Sequence, residues 1–296
     1  MSEIYNNLVT IMNIAIIPNS VKAEAVEYAN EIIKFLSAYE CDFFVPSEFS
    51  DAVQSNRAAY FRNHYETVRN ADLVIAIGGD GTIIHIAKHA AVLHKPVLGV
   101  NCGRVGFVAN LEPTELSLLS KLFDKSYIID ERMLLEVKVN YGNKTEILYG
   151  LNDVTISKGS ISRMVEIDVK LNGEFINSYR ADGIIFSTPT GSTAYSLSAG
   201  GPVIEPHMKC ILLTPICPHS LFSRSVLFSD DSEVTVFPNE KCTEDIFVTV
   251  DGIHSYKIEK NDNITIRKAH LTADFIKLNN KNFYRILNDK LNERRN

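Results

Sequence analysis

The chain has 296 residues, 45% of them hydrophobic, and its 30 basic and 36 acidic residues give a formal net charge of −6. Because the charges are spread along the chain, there is no basic patch for nucleic acid or for an anionic membrane, and we expect neither partner. Five widely spaced cysteines without a Cys-x-x-Cys pair favour neither a disulfide framework nor a zinc site. Leu8–Ile17 is too short to span a bilayer and no basic signal segment precedes it, so a soluble, cytoplasmic protein is expected.

The N-terminal part of the chain alternates between short apolar runs and helical patterns. The apolar runs predict strands at Met12–Ile17, Cys41–Val45, Ala71–Ile77 and Val97–Val100. The helical patterns predict helices at Val21–Tyr39 with Ser20 as cap, in the second half of Asp51–Asn70, at Thr82–Leu93 and at Pro113–Phe123. This order is typical of an open parallel sheet, which binds ligands at the carboxyl ends of its strands.

The central predicted strand runs directly into Gly78-Gly79-Asp80-Gly81-Thr82. Glycine permits positive φ, and the N–H groups of such a turn, together with the following helix N-terminus, can hold a phosphate. An acidic residue in an anion site costs energy unless a cation or a proton transfer accounts for it, which makes Asp80 a candidate catalytic residue. The alternative is a simple strand-to-helix turn in which Asp80 caps the helix.

A second glycine turn, Asn101–Phe107, follows the next predicted strand. Because the carboxyl ends of parallel strands lie at one edge of the sheet, we expect the two turns to face the same crevice.

From about Arg132 the pattern changes to alternation of apolar and polar residues, as in Leu135–Val139 and Val165–Leu171. With turns at Asn140–Asn143 and Asn172-Gly173, this pattern predicts a β-rich second domain. We therefore predict an α/β domain over residues 1–131, a β-rich domain over 132–270 and a C-terminal segment over 271–296, with a short amphipathic helix at Phe283–Leu291.

Between Asp182 and Glu205 lie 22 residues without a charge, rich in Ser, Thr, Gly and Pro. Small residues allow close approach of a flat ligand, and hydroxyls offer neutral donors and acceptors, which suits a nucleoside or dinucleotide. Arg180 and Asp182 precede this run, as a cation for phosphate and a carboxylate for hydroxyl groups. The alternative is a surface ion pair between these two residues.

Other signals are weaker. The chain has no Gly-x-x-x-x-Gly-Lys-Ser/Thr, so phosphate must be held without a Walker lysine. His85 and His89 stand one helical turn apart, with His94 beyond them, but no third ligand for a metal accompanies them, and none of the three is assigned to one. His85 alone could reach a ligand from the start of the helix. Asn152-Asp153 could be an ordinary turn, and Lys158-Gly159-Ser160 is typical of a loop.

The chain resembles the NAD kinases in several motifs. These are Gly78–Thr82, Asn101–Phe107, Asn152-Asp153, Asp182–Pro202, Pro215–Leu221 and Asp251-Gly252. Gly-Gly-Asp-Gly alone also resembles lipid kinases and phosphofructokinases, whereas the run Ser187–Gly201 is far more restrictive.

The resemblance implies phosphoryl transfer from ATP or polyphosphate to the adenosine 2′-hydroxyl of NAD, giving NADP. It implies a Rossmann-like N-terminal domain, a β-rich sandwich as the C-terminal domain, a C-terminal segment that returns to the first domain, and a homodimer or homotetramer whose neighbouring subunits contribute to the site. Phosphoryl transfer also requires Mg²⁺ or another divalent cation, which would come with the donor.

By position, the catalytic aspartate of that family corresponds to Asp80. The NAD contacts of the family correspond to Asp80, Gly81, Asn152, Asp153, Arg163, Arg180, Asp182, Thr193, Ala194, Tyr195, Ser196, Leu197 and Ser198, and we add His85. We assign the phosphate donor to Gly78, Gly79, Gly81 and Thr82, and no residue to a metal. Asp153 stands where the family usually has Glu, and Ile253 where it often has Gln, so the contacts of these two positions are open.

Two other functions remain to be separated. A lipid kinase shares the Gly-Gly-Asp-Gly turn but needs an apolar entrance for acyl chains. A dinucleotide-binding regulator would keep the pocket without needing Asp80.

Overall fold

The computed structural model describes residues 11–103, 106–159, 163–220 and 223–293. Arg104 and Val105 of the second glycine turn, Ser160 and Leu221 therefore lie outside the described residues. The chain divides into two compact units, one formed by the residues up to Asp130 and those from Asp274 onward, the other by Glu131–Ala273.

The secondary structure comprises seventeen strands and five α-helices within the described residues. In chain order they are β1 (Met12–Pro18), α1 (Ala23–Leu36), β2 (Cys41–Pro46), β3 (Ala58–Phe61), α2 (His64–Asn70), β4 (Leu73–Gly78), α3 (Asp80–Val92), β5 (Val97–Asn101), β6 (Ile128–Tyr141), β7 (Lys144–Gly150), β8 (Asp153–Lys158), β9 (Val165–Leu171), β10 (Glu174–Ala181), β11 (Gly183–Ser187), α4 (Tyr195–Ser198), β12 (Cys210–Ile216), β13 (Val226–Ser229), β14 (Val234–Pro238), β15 (Ile246–Val250), β16 (His254–Ile258), β17 (Asn263–Lys277) and α5 (Phe283–Glu293). Short 3₁₀ helices occupy Ser47–Phe49, Pro113–Leu122 and Thr190–Thr193.

The first unit contains a parallel sheet in the order β5-β4-β1-β2-β3, and the end of β17 joins it through Phe275 beside Val97. All six residues of β4 are buried, as expected for a central strand covered on both faces. Apolar residues of α1, of the strands and of the 3₁₀ helix at Pro113–Leu122 form one core. The predicted α/β architecture is confirmed.

Most predicted elements of this unit are present, with three differences. Residues 58–61 form the edge strand β3, which was not predicted, because a short, half-exposed strand has little apolar signal. Helix α1 begins at Ala23, and Ser20 does not cap it; instead the Asn19 side chain accepts from the N–H groups of Val21 and Lys22. The predicted helix at 113–123 is 3₁₀ rather than α.

The second unit consists of two antiparallel sheets. One has the order β10-β9-β14-β17-β6-β7, and the other the order β13-β12-β11-β8-β15-β16. Alternate residues of both sheets meet in one core, which confirms the predicted β-rich sandwich. Asn172 and Gly173 both have positive φ, as a two-residue hairpin turn requires.

Within the described residues no helix is long and apolar enough to cross a membrane.

Candidate active site

The Gly-Gly-Asp-Gly sequence forms the junction between β4 and α3. Gly78 ends the strand, Gly79 is the N-cap of α3 with φ −88°, and Asp80 is the first residue of the helix. None of the glycines at 78, 79 and 81 has a positive φ, so the turn does not use the left-handed backbone that glycine permits. The strand enters the helix through ordinary extended backbone at Gly79, and of these three glycines only Gly78 lacks the space for a side chain within the protein.

These glycines differ in the space that is available for a side chain. A Cβ on Gly78 would lie 2.9 Å from Cβ and Oγ1 of Thr82, so a side chain there would displace the threonine. A Cβ on Gly79 or Gly81 would meet nothing within 4 Å. The backbone of these two residues, at the N-terminus of a 13-residue helix, therefore faces open space that an anion could enter.

The Asp80 carboxylate links this turn to the second glycine turn. Its Oδ2 accepts from the Phe107 N–H at 2.8 Å and its Oδ1 from the Val108 N–H at 3.2 Å. Lys290 Nζ of α5 lies 3.4 Å from Oδ2. Because Gly79 occupies the N-cap, the alternative in which Asp80 caps α3 is wrong. The predicted meeting of the two turns is confirmed.

Two residues after β1 reach the same edge of the sheet, and neither was predicted from the sequence to lie at the site. Asn19 Nδ2 donates to Thr82 Oγ1 at 2.5 Å, and Lys22 Nζ donates to the Cys102 carbonyl at 2.5 Å. Burial raises the pKa of the Cys102 thiol, and the charge of Lys22 opposes this rise. The available signal was topological, since residues that follow any strand of a parallel sheet collect at its carboxyl edge.

The two histidines of α3 lie side by side on the helix. The rings of His85 and His89 contact each other edge-on with centroids 4.8 Å apart. Within the described ranges, no group of three or more His, Cys, Asp and Glu side chains could hold a metal ion. His85 lies on α3 five residues after Asp80, half-buried.

In the second unit, Asp251 organises the turn that contains Asn152 and Asp153. Its carboxylate accepts from the N–H groups of Leu151 at 2.9 Å, Asn152 at 2.8 Å and Asp153 at 2.9 Å. Asp251 has φ 47° and its own N–H donates to the Asp153 carbonyl at 2.9 Å. The turn at Asn152 is thus held from both sides, while Ile253, two residues further along, is half exposed.

The uncharged run packs against this turn. The Thr188 N–H donates to the Asn152 carbonyl at 2.9 Å, and Thr188 Oγ1 donates to the Leu151 carbonyl at 2.6 Å. A Cβ on Gly191 would lie 2.0 Å from the Asn152 carbonyl oxygen. The small residues of the run therefore let two backbone segments approach each other, as their size predicts.

Several hydroxyls of the run bond within the protein. Ser192 Oγ donates to the Pro189 carbonyl at 2.7 Å, and buried Ser196 Oγ shares a hydrogen bond with Thr214 Oγ1 at 2.8 Å. Tyr195 and Ser198 are exposed, and Thr193, Ala194 and Leu197 are intermediate. The residues that present themselves to a ligand are thus a subset of the predicted Thr193–Ser198.

Asp182 pairs with Lys158 and not with Arg180. Lys158 Nζ lies 2.6 Å from Asp182 Oδ1, and the Lys158 N–H donates to the Asp182 carbonyl at 3.0 Å. The alternative in which Arg180 and Asp182 form a surface ion pair is therefore wrong. The prediction of a loop at Lys158 is also wrong, because Lys158 is the last residue of strand β8. Asp182 directly precedes the buried strand β11, which positions its side chain.

The two predicted arginines line one pocket of about 540 Å³ in the second unit, together with His219 and Lys241. Arg180 is exposed on β10, and the Arg163 side chain is 78% exposed with Nη1 3.9 Å from Glu244 Oε1. Both guanidinium groups are accessible to an anionic ligand.

Comparison with known families gives two matches that together cover most of the chain. Residues 14–127 match the ATP-NAD kinase N-terminal domain, and residues 151–278 match the ATP-NAD kinase C-terminal domain.

Among individual relatives, the NAD kinase of Thermoanaerobacter sp. (strain X514) is 36% identical over 95% of this chain and 99% of its own. The NAD kinase of Caldanaerobacter subterraneus subsp. tengcongensis is 37% identical over 95% of this chain and 99% of its own.

Two solved structures have a fold similar to that of this chain. Yeast NADH kinase complexed with NADH superimposes with a TM-score of 0.87 at 26% identity, covering 95% of this chain and 88% of that one. An NAD kinase from Archaeoglobus fulgidus in complex with ATP gives 0.73 at 25% identity, covering 95% and 99%.

Proposed function

The chain belongs to the NAD kinase family, and from that premise we propose that Asp80 is the general base of its reaction. The reaction transfers a phosphoryl group from ATP to the adenosine 2′-hydroxyl of NAD and yields NADP. The 2′-oxygen bonds to the γ-phosphorus, the bond to the bridging oxygen of ADP breaks, and the hydroxyl proton needs an acceptor. We assign that acceptor to the Asp80 carboxylate.

One observation carries this assignment: two backbone N–H groups orient the Asp80 carboxylate at the carboxyl edge of the parallel sheet. An ionised carboxylate has about four acceptor sites. Oδ1 accepts only from Val108 among the bonds of the described residues, so it can accept the hydroxyl proton as well.

The phosphate donor is proposed to lie along Gly78, Gly79, Gly81 and Thr82. The open space at Gly79 and Gly81 and the N-terminus of α3 support this site, because backbone N–H groups there would face the phosphate oxygens. ATP is the proposed donor, as the name of the matched family indicates.

A divalent cation such as Mg²⁺ is proposed to enter with the donor. Mg²⁺ usually keeps several waters and is held by one or two carboxylates plus substrate phosphates. The residues fit this mode, since the described part of the chain offers no all-protein cage but has room at Gly79 and a carboxylate at Asp80. When bound, the cation would neutralise charge on the phosphates.

For NAD we propose the contacts that the resemblance to the family implies, together with His85. The set comprises Asp80, Gly81, His85, Asn152, Asp153, Arg163, Arg180, Asp182, Thr193, Ala194, Tyr195, Ser196, Leu197 and Ser198. The rigid turn at Asn152 and the exposure of Tyr195 and Ser198 support this set, whereas Ser196 would act through its backbone because its hydroxyl bonds to Thr214. A homodimer or homotetramer is proposed as well, which light scattering on the purified protein would test.

The test measures NADP formation by the protein and by Asp80→Asn, with Mg²⁺, NAD and ATP. Polyphosphate in place of ATP, and NADH in place of NAD, tests the donor and the acceptor. Asparagine cannot act as a base for the proton of the 2′-hydroxyl, so the rate should fall by roughly 10²- to 10⁴-fold. Calorimetry should show that NAD binding is retained. A mutant that turns over like the parent would overturn the assignment of Asp80. Recovery of the rate at high Mg²⁺ would assign Asp80 to the metal instead of the proton.

A melting curve serves as the control for folding. Asparagine can accept only one of the two backbone N–H bonds that Asp80 accepts, which should lower the unfolding free energy by about 1–3 kcal/mol.

A further inference from the structure

The last helix of the chain contributes a cation to Asp80. Lys290 Nζ, on α5, lies 3.4 Å from Asp80 Oδ2, although 210 residues separate the two positions. The two side chains are only 23% and 26% exposed, so solvent screens this pair less than an exposed one. Both residues belong to the first unit.

Phe107 contacts both partners of this pair. Its N–H donates to Asp80 Oδ2 at 2.8 Å, and its ring centroid lies 4.1 Å from Lys290 Nζ. An ammonium at that distance from an aromatic face is attracted by the ring quadrupole. The ring of Phe283, at the start of α5, lies 6.3 Å from that of Phe107. Helix α5 therefore contacts Phe107 through two residues, Phe283 and Lys290. The ammonium group of Lys290 lies between the Asp80 carboxylate and the Phe107 ring.

The charge of Lys290 has a consequence for the proposed reaction. A carboxylate that stands beside the phosphates of a donor is repelled by them, and this repulsion favours displacement of the carboxylate. Backbone N–H groups orient the Asp80 oxygens but carry no net charge. In the part of the chain that the structure describes, Lys290 is the side chain that forms an ion pair with Asp80.

We propose that Lys290 is a positioning residue of the NAD kinase reaction, which holds the Asp80 carboxylate in its reactive orientation. This inference rests on the proposed role of Asp80 as the base. Lys290 acts through Asp80, so helix α5 contributes to the active site by positioning this carboxylate.

The test compares Lys290→Met with Lys290→Arg. Methionine keeps the apolar stem and removes the charge, and arginine restores a cation that can bond the carboxylate and stack on Phe107. The chain offers a matched control in Lys281→Met. Lys281, in the same C-terminal segment, pairs with Glu115 at 2.7 Å and has similar exposure, but it does not contact Asp80.

Lys290→Met should lower kcat by about 10- to 100-fold, because a misplaced reacting group loses that much. Lys290→Arg should recover most of the loss, and Lys281→Met should stay within about twofold of the parent, since it leaves the Asp80 geometry intact. NAD affinity measured by calorimetry should be unchanged in all three. Parent-like kcat in Lys290→Met, equal losses in the two methionine variants, or no recovery with arginine would each overturn the proposal.

A double mutant separates this inference from the assignment of Asp80. If Lys290 acts through Asp80, Lys290→Met should add little to the loss caused by Asp80→Asn, because the two changes remove one function. A full additional loss would contradict the coupling. A parent-like Asp80→Asn would instead refute the proposed base, whereas an impaired Asp80→Asn with a parent-like Lys290→Met would refute the role of Lys290 alone.

Discussion

A Cβ placed on Gly106 would lie 2.0 Å from Oδ1 of Asp80. Gly106 does not have a φ in the left-handed range, so what restricts a side chain at this position is the space around it. The N–H groups that bond Asp80 belong to the next two residues, Phe107 and Val108. The absence of a side chain at position 106 therefore lets the second glycine turn close on the carboxylate.

Gly106→Ala should inactivate the enzyme more than it destabilises the fold. The methyl group must push the carboxylate or the turn aside, which should cost about 1–3 kcal/mol of unfolding free energy as overpacking. The displaced carboxylate should lower kcat by about 10²-fold. Denaturant unfolding and steady-state rates measure the two effects, and a variant with the kcat of the parent would show that the turn relaxes without moving Asp80.

Gly79→Ala should impair ATP binding with little effect on stability, whereas Gly78→Ala should lower the stability. Gly79→Ala adds a methyl group to open space, so the unfolding free energy should change by less than about 1 kcal/mol, while the KM for ATP should rise because the methyl group occupies the donor site. Gly78→Ala meets Thr82 at 2.9 Å and should lose about 1–3 kcal/mol of stability. ATP titrations and denaturation curves provide the measurements. An unchanged ATP KM in Gly79→Ala would remove that backbone from the donor site.

Asp182→Ala should weaken NAD binding by about 1–3 kcal/mol, since a ligand donor would be left buried and without its acceptor. Lys158→Met provides the control, because it removes the 2.6 Å ion pair and keeps the carboxylate. Calorimetry should give a smaller loss for Lys158→Met than for Asp182→Ala. Equal losses would mean that Asp182 acts only through its ion pair, and unchanged affinity in Asp182→Ala would exclude it from the site.

Stability at alkaline pH should depend on Tyr256. Its hydroxyl donates to Glu146 Oε2 at 2.6 Å, and this hydrogen bond, with burial and the charge of Glu146, raises the pKa of Tyr256 to about 12. An unfolded tyrosine titrates near pH 10, so this contribution is fully present below about pH 10 and is lost as the pH rises toward about 12. Unfolding free energies measured from pH 8 to 12 should fall less steeply for Tyr256→Phe than for the parent. Parallel curves would contradict this linkage.

The amino-acid sequence by itself determined the architecture and the chemistry of the central turn. The apolar runs that became β1, β2, β4 and β5 are short, continuous and bounded by turn residues, which suffices for buried parallel strands. Alternation and the Asn172-Gly173 turn were likewise enough for the antiparallel sandwich, because both signals are local. The Ser187–Gly201 run pointed to the family because so many small and hydroxyl residues in one order are restrictive.

Only the tertiary structure decided which groups act on one another. Asp80 meets Phe107 and Lys290, and Asp182 meets Lys158 rather than Arg180; no local pattern encodes such long-range partners. The same holds for Ser196, whose hydroxyl faces Thr214 inside the protein although its sequence neighbours face outward. Periodicity reports which face of an element is apolar, whereas the partner of a polar group depends on where distant segments are brought together by the packing of the core.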